Sequence, residues 1–456
     1  MLGNSLLLMV GVVAASPPAP LPPVPTPQQL AWQRCELIMF LHFGVNTFTD
    51  REWGDGTEDP AIFQPKALDA RQWVRVAKDA GFKMMILTAK HHDGFCLWPS
   101  QYTEHSVKNS PWRDGQGDVV QEFVAACREM DMKVGFYLSP WDRHEKSYGD
   151  SPVYNEYFRN QLTELLTRYG DVAEMWFDGA CGEGSNGKKQ VYDWESYYKV
   201  VRDKQPNAVI AICGPDVRWV GNESGVAREM EWSVRPVDDN GMPVPEPTTW
   251  HPAECDVSIR PGWFWHAKED AQVKPLDHLL DIYFSSVGRN SLLLLNVPPN
   301  DQGLLPDADV KRLQEFRQAL DEIFRENLAL GQKVQANGKR GRMDDFGPDK
   351  ALDGEEGTYW SLDDDQTEGW IEVDLGQPMT FSVSKMEEHI ALGQRVMRYR
   401  IEVKEKGSWR TVVEGTTVGY RKLDRFPKIT ARHVRWSILE SRGCPTICGL
   451  GLYRGR

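Results

Sequence analysis

The 456-residue chain is 41% hydrophobic and carries 53 Lys and Arg against 66 Asp and Glu, a formal net charge of −13. Single cores stop growing at roughly 250–300 residues, so two domains are expected. The acidic balance argues against a nucleic-acid partner, whose phosphates need a basic face.

Residues 1–16 join an apolar run, Ser5 to Val13, to the small-residue exit Ala14-Ala15-Ser16. That pattern reads as a signal peptide, and the run is too short to span a bilayer, so a secreted or extracytoplasmic location is expected, with no membrane span. Prolines alternate through residues 17–28, a polyproline-like lead-in without structure of its own, and the fold is expected to start near Gln29.

From residue 36 onward short apolar runs alternate with segments of helical period. Leu37–Val45, Lys83–Thr88, Lys133–Leu138, Val172–Phe177 and Val209–Cys213 read as buried parallel strands; Glu229–Ser233, Cys255–Ile259 and Ser291–Asn296 are the candidates for the sixth to eighth. Between the early strands, Asp69–Ala80, Val119–Met130, Asn155–Tyr169 and Tyr192–Lys204 place apolar residues at three- and four-residue spacing, as outer helices do. No Gly-x-Gly-x-x-Gly follows the first strand, which removes the usual reason to choose an open dinucleotide-binding sheet. The expected fold class is therefore α/β, a (β/α)8-like TIM barrel over residues 29–331. A C-terminal β-sandwich over 332–456 follows, because helical periods give way to short alternating runs such as Trp370–Leu375, Tyr399–Val403, Trp409–Val413 and His433–Ile438. Helix Asp307–Phe324 is expected to close the barrel.

Barrel enzymes place their chemistry at the carboxyl ends of strands. Here those ends carry His42-Phe43-Gly44, Lys90-His91-His92-Asp93, Tyr137-Leu138-Ser139-Pro140-Trp141 and Trp176-Phe177-Asp178-Gly179. Asp178 leaves a buried strand as a lone carboxylate, a nucleophile or base in one reading and a cap for the next helix in the other. Glu223 sits in the Gly-bracketed loop Gly221-Asn222-Glu223-Ser224-Gly225, either a general acid beside Trp219 or a solvated surface charge. The pair His91-His92 with Asp93 has the chemistry of a metal site, but neighbours on a strand face opposite ways and no metal-ligand spacing motif is present, so imidazoles bonded to sugar hydroxyls are preferred. No metal and no cofactor is called. Of the eight cysteines, Cys35, Cys96, Cys127, Cys213 and Cys255 read as buried thiols, and Cys444 with Cys448 as a possible local pair.

Taken together, His42-Phe43-Gly44-Val45-Asn46, Glu52-Trp53-Gly54, Leu87 to Phe95, Gly135 to Asp142, Trp176 to Ala180, Gly214 to Trp219 and Glu254 to His266 resemble glycoside hydrolase family 29, the α-L-fucosidases, and within it the branch specific for α1,3/α1,4-linked fucose. The resemblance implies a retaining exo-α-L-fucosidase acting on fucosylated oligosaccharides or glycoconjugates through a covalent fucosyl-enzyme. It places the nucleophile on Asp178 and the acid/base on Glu223, and it puts His42, His91, His92, Tyr137 and Trp176 on the fucose, with Glu52, Trp53 and Trp265 beside them. Trp265 is assigned to an aromatic patch facing the fucose methyl group. The tail resembles a discoidin-like, carbohydrate-binding-module-like domain through Ala351-Leu352-Asp353-Gly354, Tyr359-Trp360 and Trp370 to Gly376. Two features depart from the pattern: Asn222-Glu223-Ser224 is a glycosylation sequon overlapping the proposed acid, and the Pro-rich stretch 234–252 leaves aglycone preference open. Two rival readings stand beside this one, a sugar-binding protein that has lost catalysis and a hydrolase of another 6-deoxy or galacto-configured sugar.

Overall fold

The computed structural model describes residues 16–456; the signal-peptide reading falls almost wholly outside them. Among the described residues, no helix is long and apolar enough to cross a membrane. The chain forms two compact units: residues 23–326 with 420–424 and 455–456, and residues 327–419 with 425–454 and the lead-in up to residue 22.

In the first unit, eight strands lie in one sheet: β1 Leu37–Leu41, β2 Met84–Lys90, β3 Lys133–Leu138, β4 Glu174–Phe177, β5 Val209–Ile212, β6 Arg218–Trp219, β7 Ala253–Ser258 and β8 Leu292–Asn296. The order β5-β4-β3-β2-β1-β8-β7-β6 is parallel throughout, and a bridge between Cys213 and Arg218 joins the two edges into a nearly closed barrel. Strands β1, β2, β7 and β8 are buried at every position, because helices cover the outside while side chains fill the inside. The interior is layered from alternate residues, among them Ile38, Phe40, Met84, Ile86, Tyr137, Trp176, Leu292 and Leu294. Helix Pro27–Gln33 precedes β1 and sends Trp32 into the same interior cluster. Its amino end is a capping box in which Thr26 and Gln29 satisfy each other's backbone N–H.

Several expectations need correction. The first helix starts at Pro27, capped by Thr26, and the lead-in before it is held: Leu21 N–H donates to Leu392 O at 2.9 Å, and Arg395 reaches Ala19 O at 2.7 Å. The sixth strand is Arg218–Trp219 rather than Glu229–Ser233, which carries no strand; it is only two residues long, too short to show a period. The first strand stops at Leu41, where Gly44 hands over to a short helix, Val45–Thr49. Helix Leu276–Ser285 went unread.

The second unit is an antiparallel β-sandwich whose strands include Gly369–Glu388, Val396–Glu405, Ser408–Gly415, Lys422–Ser441 and Thr446–Tyr453, packed over a core with Trp360, Tyr399, Trp436 and Ile438. All eight cysteines are free. Cys444 and Cys448 do not pair: the Cys444 thiol lies against Arg395 Nη1 at 3.4 Å, and that of Cys448, within the last strand, turns to Glu387 O. Cys213 is half-buried rather than buried, being at the open end of the barrel.

Directly after β7, Arg260 is fully buried and meets Asp309 of helix Asp307–Ile323 through Nε at 2.8 and 3.1 Å. This ion pair anchors the loop that carries Trp263 and Phe264. Removing Asp309 leaves buried Arg260 only the exposed carboxylate of Asp270, 2.9 Å from its Nη2, so Asp309→Ala is expected to lower unfolding free energy by about 3 kcal/mol. Denaturant titration checks this, and a loss under about 1 kcal/mol, the level of an exposed pair, would contradict it.

Candidate functional site

Alternation along β4 sends Glu174, Trp176 and then Asp178 toward the barrel axis, the last of them just beyond the strand's carboxyl end. Asp178 is partly exposed. Its Oδ2 accepts the Tyr137 phenol O–H at 3.0 Å, and its Oδ1 accepts the backbone N–H of Ala180 at 2.8 Å. Tyr137 is paired with Trp176 in the β3–β4 register, and the two rings stack with centroids 5.2 Å apart at 29°. The helix-cap reading of Asp178 is not what its side chain does, since the helix that follows starts at Trp194 and is capped by Asp193.

Three imidazoles cluster beside Tyr137 and this carboxylate, with His92 nearest to Asp178, and all are uncharged. Burial pulls His42 down to about 3, His92 down to about 4 despite the Asp178 charge beside it, and His91 well below its ordinary value. His92 Nε2 stands 3.7 Å from Asp178 Oδ2, which is therefore a close approach and not an ion pair at neutral pH. The hydrogen-bond network fixes the tautomers. Asn296 uses its amide N–H groups on Ser258 Oγ and Trp263 O, so its Oδ1 accepts from His42 Nδ1 at 2.8 Å. Ser139 donates to Trp141 O, so its oxygen accepts from His92 Nδ1 at 2.7 Å. Both rings thus keep Nε2 as a bare acceptor for a hydroxyl group. Because β2 ends at Lys90, His91 and His92 lie beyond the strand and their rings sit together at 4.1 Å, not on opposite faces.

Around the histidines runs an aromatic wall. Trp53 is 55% exposed and meets His92 and Trp141 edge to face. Trp263 and Phe264 lie 5.1 and 5.4 Å from the His42 ring, and Phe264 lies 5.0 Å from His91. Trp265, two residues from Trp263, is half-buried and donates its indole N–H to Asp270 at 3.1 Å. Glu52 clasps the same loop, accepting from the N–H groups of Trp263 and Phe264 and from His266 Nε2 at 2.6 Å; Asp50 holds the other ring nitrogen. Burial alone would pull His266 down, but those two carboxylates leave it raised.

Glu223 lies on an exposed turn after β6. The Asn222 side chain builds the turn, donating to Val226 O at 2.8 Å and accepting from Ser224 N–H at 3.0 Å. Gly225 closes it at φ +71°, where a Cβ would sit 2.8 Å from Val257 and Ile282. Across from the turn is Asp256 of β7, which the sequence reading missed. It accepts from the Trp219 indole at 2.7 Å, and burial, with the charges of Glu254 and Glu223, pushes it up to about 8. Asn296 was hidden because it looks like one polar residue ending an apolar strand, and Asp256 because it is one of three alternating polar residues whose inward direction the sequence does not show.

Since His42 and His92 titrate near 6.5 in the unfolded chain but near 3 and 4 in the folded one, the unfolded state takes up protons first. Stability is then expected to fall as pH drops from about 6.5 toward 4, His92 alone accounting for on the order of 3 kcal/mol. Thermal melts across that range should show a flatter acid slope in His92→Gln; an unaltered slope contradicts neutral burial.

An Alpha-L-fucosidase family model matches residues 30–322, and an F5/8 type C domain model matches residues 333–449. Alpha-L-fucosidase 1 of Arabidopsis thaliana is 47% identical over 451 residues, covering 96% of this chain and 88% of the relative. A GH29 fucosidase of Ruminococcus gnavus, solved in complex with fucose, superposes with a TM-score of 0.90 at 36% identity, over 98% of both chains. A putative alpha-L-fucosidase of Bacteroides thetaiotaomicron gives 0.89 at 40% identity, over 96% of this chain and 99% of that one.

Proposed function

This chain belongs to the α-L-fucosidase family of glycoside hydrolases, and from that premise we propose that it hydrolyses terminal α-L-fucose with retention of configuration, Asp178 acting as nucleophile and Glu223 as acid/base. The observation that carries the reading is the Asp178 carboxylate itself, aimed by Tyr137 and the Ala180 N–H at the open end of a cup of neutral imidazoles.

In the first step an Asp178 oxygen forms a bond to the anomeric carbon while the bond to the leaving oxygen breaks and Glu223 gives that oxygen its proton. In the second, Glu223 takes a proton from water, the water oxygen bonds to the anomeric carbon, and Asp178 departs as carboxylate. The bare Nε2 atoms of His42 and His92 accept from fucose hydroxyls, while half-buried Trp263, backed by buried Phe264, supplies apolar surface for a methyl group. The loop Asn222-Glu223-Ser224-Gly225 supports preference for α1,3/α1,4 linkages, and residues 1–16 support an extracytoplasmic site of action. Asn222 builds the turn under Glu223, and a glycan on it would stand beside the proposed acid.

Asp178→Ala is expected to lower kcat by about 10⁴-fold or more without changing the fold. Added azide should restore turnover and yield β-fucosyl azide; full activity without azide contradicts the assignment. Glu223→Ala should cost about 10²–10⁴-fold on natural oligosaccharides and far less on a nitrophenyl fucoside, and equal losses on both rule out an acid role. NMR of the first product should show α-L-fucose, whereas β-L-fucose would mean inversion.

A further inference from the structure

Beneath the sugar site, the barrel interior holds two carboxyl groups that no step of the reaction uses. Glu174 opens β4 and Glu254 lies at the second position of β7, and neither side chain reaches solvent. Glu174 Oε2 accepts the Trp32 indole N–H at 2.9 Å; Glu254 Oε1 accepts that of Trp176 at 2.7 Å. Each acid keeps a second buried oxygen, Glu174 Oε1 and Glu254 Oε2, without a donor from the surrounding residues. The two groups lie near enough that the charge of Glu174 bears on the ionisation of Glu254.

Burial pushes Glu174 up to about 7, and burial with the Glu174 charge pushes Glu254 well above its ordinary value. The ionisable neighbours are Cys35, next to Glu174, and Asp256, two residues along β7, neither of them cationic. Two apolar side chains would fill this space without the desolvation cost. What the acids add is an acceptor at a fixed height for the Trp176 N–H. Trp176 in turn stacks on Tyr137, and Tyr137 donates to Asp178.

We propose that Glu254, backed by Glu174, is a positioning residue for the nucleophile: it holds the Trp176 indole, and through it the Tyr137 phenol, where that phenol can hydrogen-bond Asp178. The proposal rests on the reading of Asp178 as nucleophile and extends it down to the amino-terminal end of the barrel. A continuous path of contacts runs Trp32, Glu174, Glu254, Trp176, Tyr137, Asp178. Because the folded pair binds its proton more tightly than the unfolded chain does, the stability it contributes is complete below about pH 4.5 and is lost as pH rises toward 7 and beyond.

The test compares Glu254→Gln, Glu254→Leu, Trp176→Phe and the Glu254→Leu/Trp176→Phe double variant. The assay is kcat/KM for a dinitrophenyl α-L-fucoside, whose departure needs no proton from Glu223. Glutamine keeps an oxygen for Trp176 and an amide to donate to Glu174, so Glu254→Gln should stay within about threefold of wild type and shift the alkaline limb of the profile upward. Leucine offers no acceptor, so Glu254→Leu should lose about tenfold or more, and most of that loss should vanish in the Trp176→Phe background, where no N–H remains to be held. Wild-type activity in Glu254→Leu, or full multiplication of the two losses, overturns the proposal. If Glu254→Leu does not fold, an unshifted profile in Glu254→Gln overturns it instead. Asp178→Ala, assayed alongside, keeps the claims apart: normal turnover there defeats the nucleophile reading, whereas the Glu254 series judges only the pair.

Discussion

The hydrogen bond from Tyr137 to Asp178 is the contact on which the site depends. It joins the ends of two adjacent strands, β3 and β4, whose register sets Tyr137 beside Trp176 and leaves Asp178 one alternation further out. A carboxylate on a loop alone would explore many rotamers. Here one oxygen is fixed by a phenol packed in the barrel and the other by a backbone N–H, so the group is aimed before any sugar arrives. The same two-residue alternation builds a second polar column on β7, where Glu254, Asp256 and Ser258 all face inward.

Charge is managed by solvent exclusion more than by pairing. His42, His91 and His92 are neutral because water is kept from them, and neutral rings with assigned tautomers can accept hydroxyl groups without drawing Asp178 into an ion pair. His266 shows the contrast. It is held between Asp50 and Glu52, its pKa is raised, and its work is to fasten the loop of Trp263 and Phe264 to the loop after β1. Glu52, expected from the family resemblance to hold fucose, spends both oxygens on that clasp. Its exposed flank leaves room for a sugar hydroxyl as well.

Much of this was written in the chain, and the parts that were not have physical reasons. Strands such as Leu37–Leu41 and Lys133–Leu138 are apolar on both faces, which only a covered parallel sheet requires, and Asp178 stands out as the first charge after such a run. The sixth strand was illegible because two residues cannot show a period. Helix Leu276–Ser285 was missed because its buried residues Leu279, Leu280, Ile282, Tyr283 and Phe284 cover so much of its surface that amphipathic spacing is blurred. Acids facing into a barrel invert the usual pattern of polar outward and apolar inward, so periodicity alone gives no sign that Glu254 and Asp256 face the interior. How the loop of Trp263 and Trp265 folds is set by Glu52 and by Asp270, the former more than two hundred residues away in sequence.

The central claim is that the carboxylate aimed by Tyr137 bonds to the anomeric carbon. Incubation with a 2-deoxy-2-fluoro-fucosyl fluoride, which slows release of a covalent intermediate, followed by proteolysis and mass spectrometry, reads that bond directly. The account predicts a single fluoro-fucosyl adduct on the Asp178 side chain, formed in step with loss of activity. An adduct on a different carboxylate, or inactivation with no covalent adduct, would contradict it.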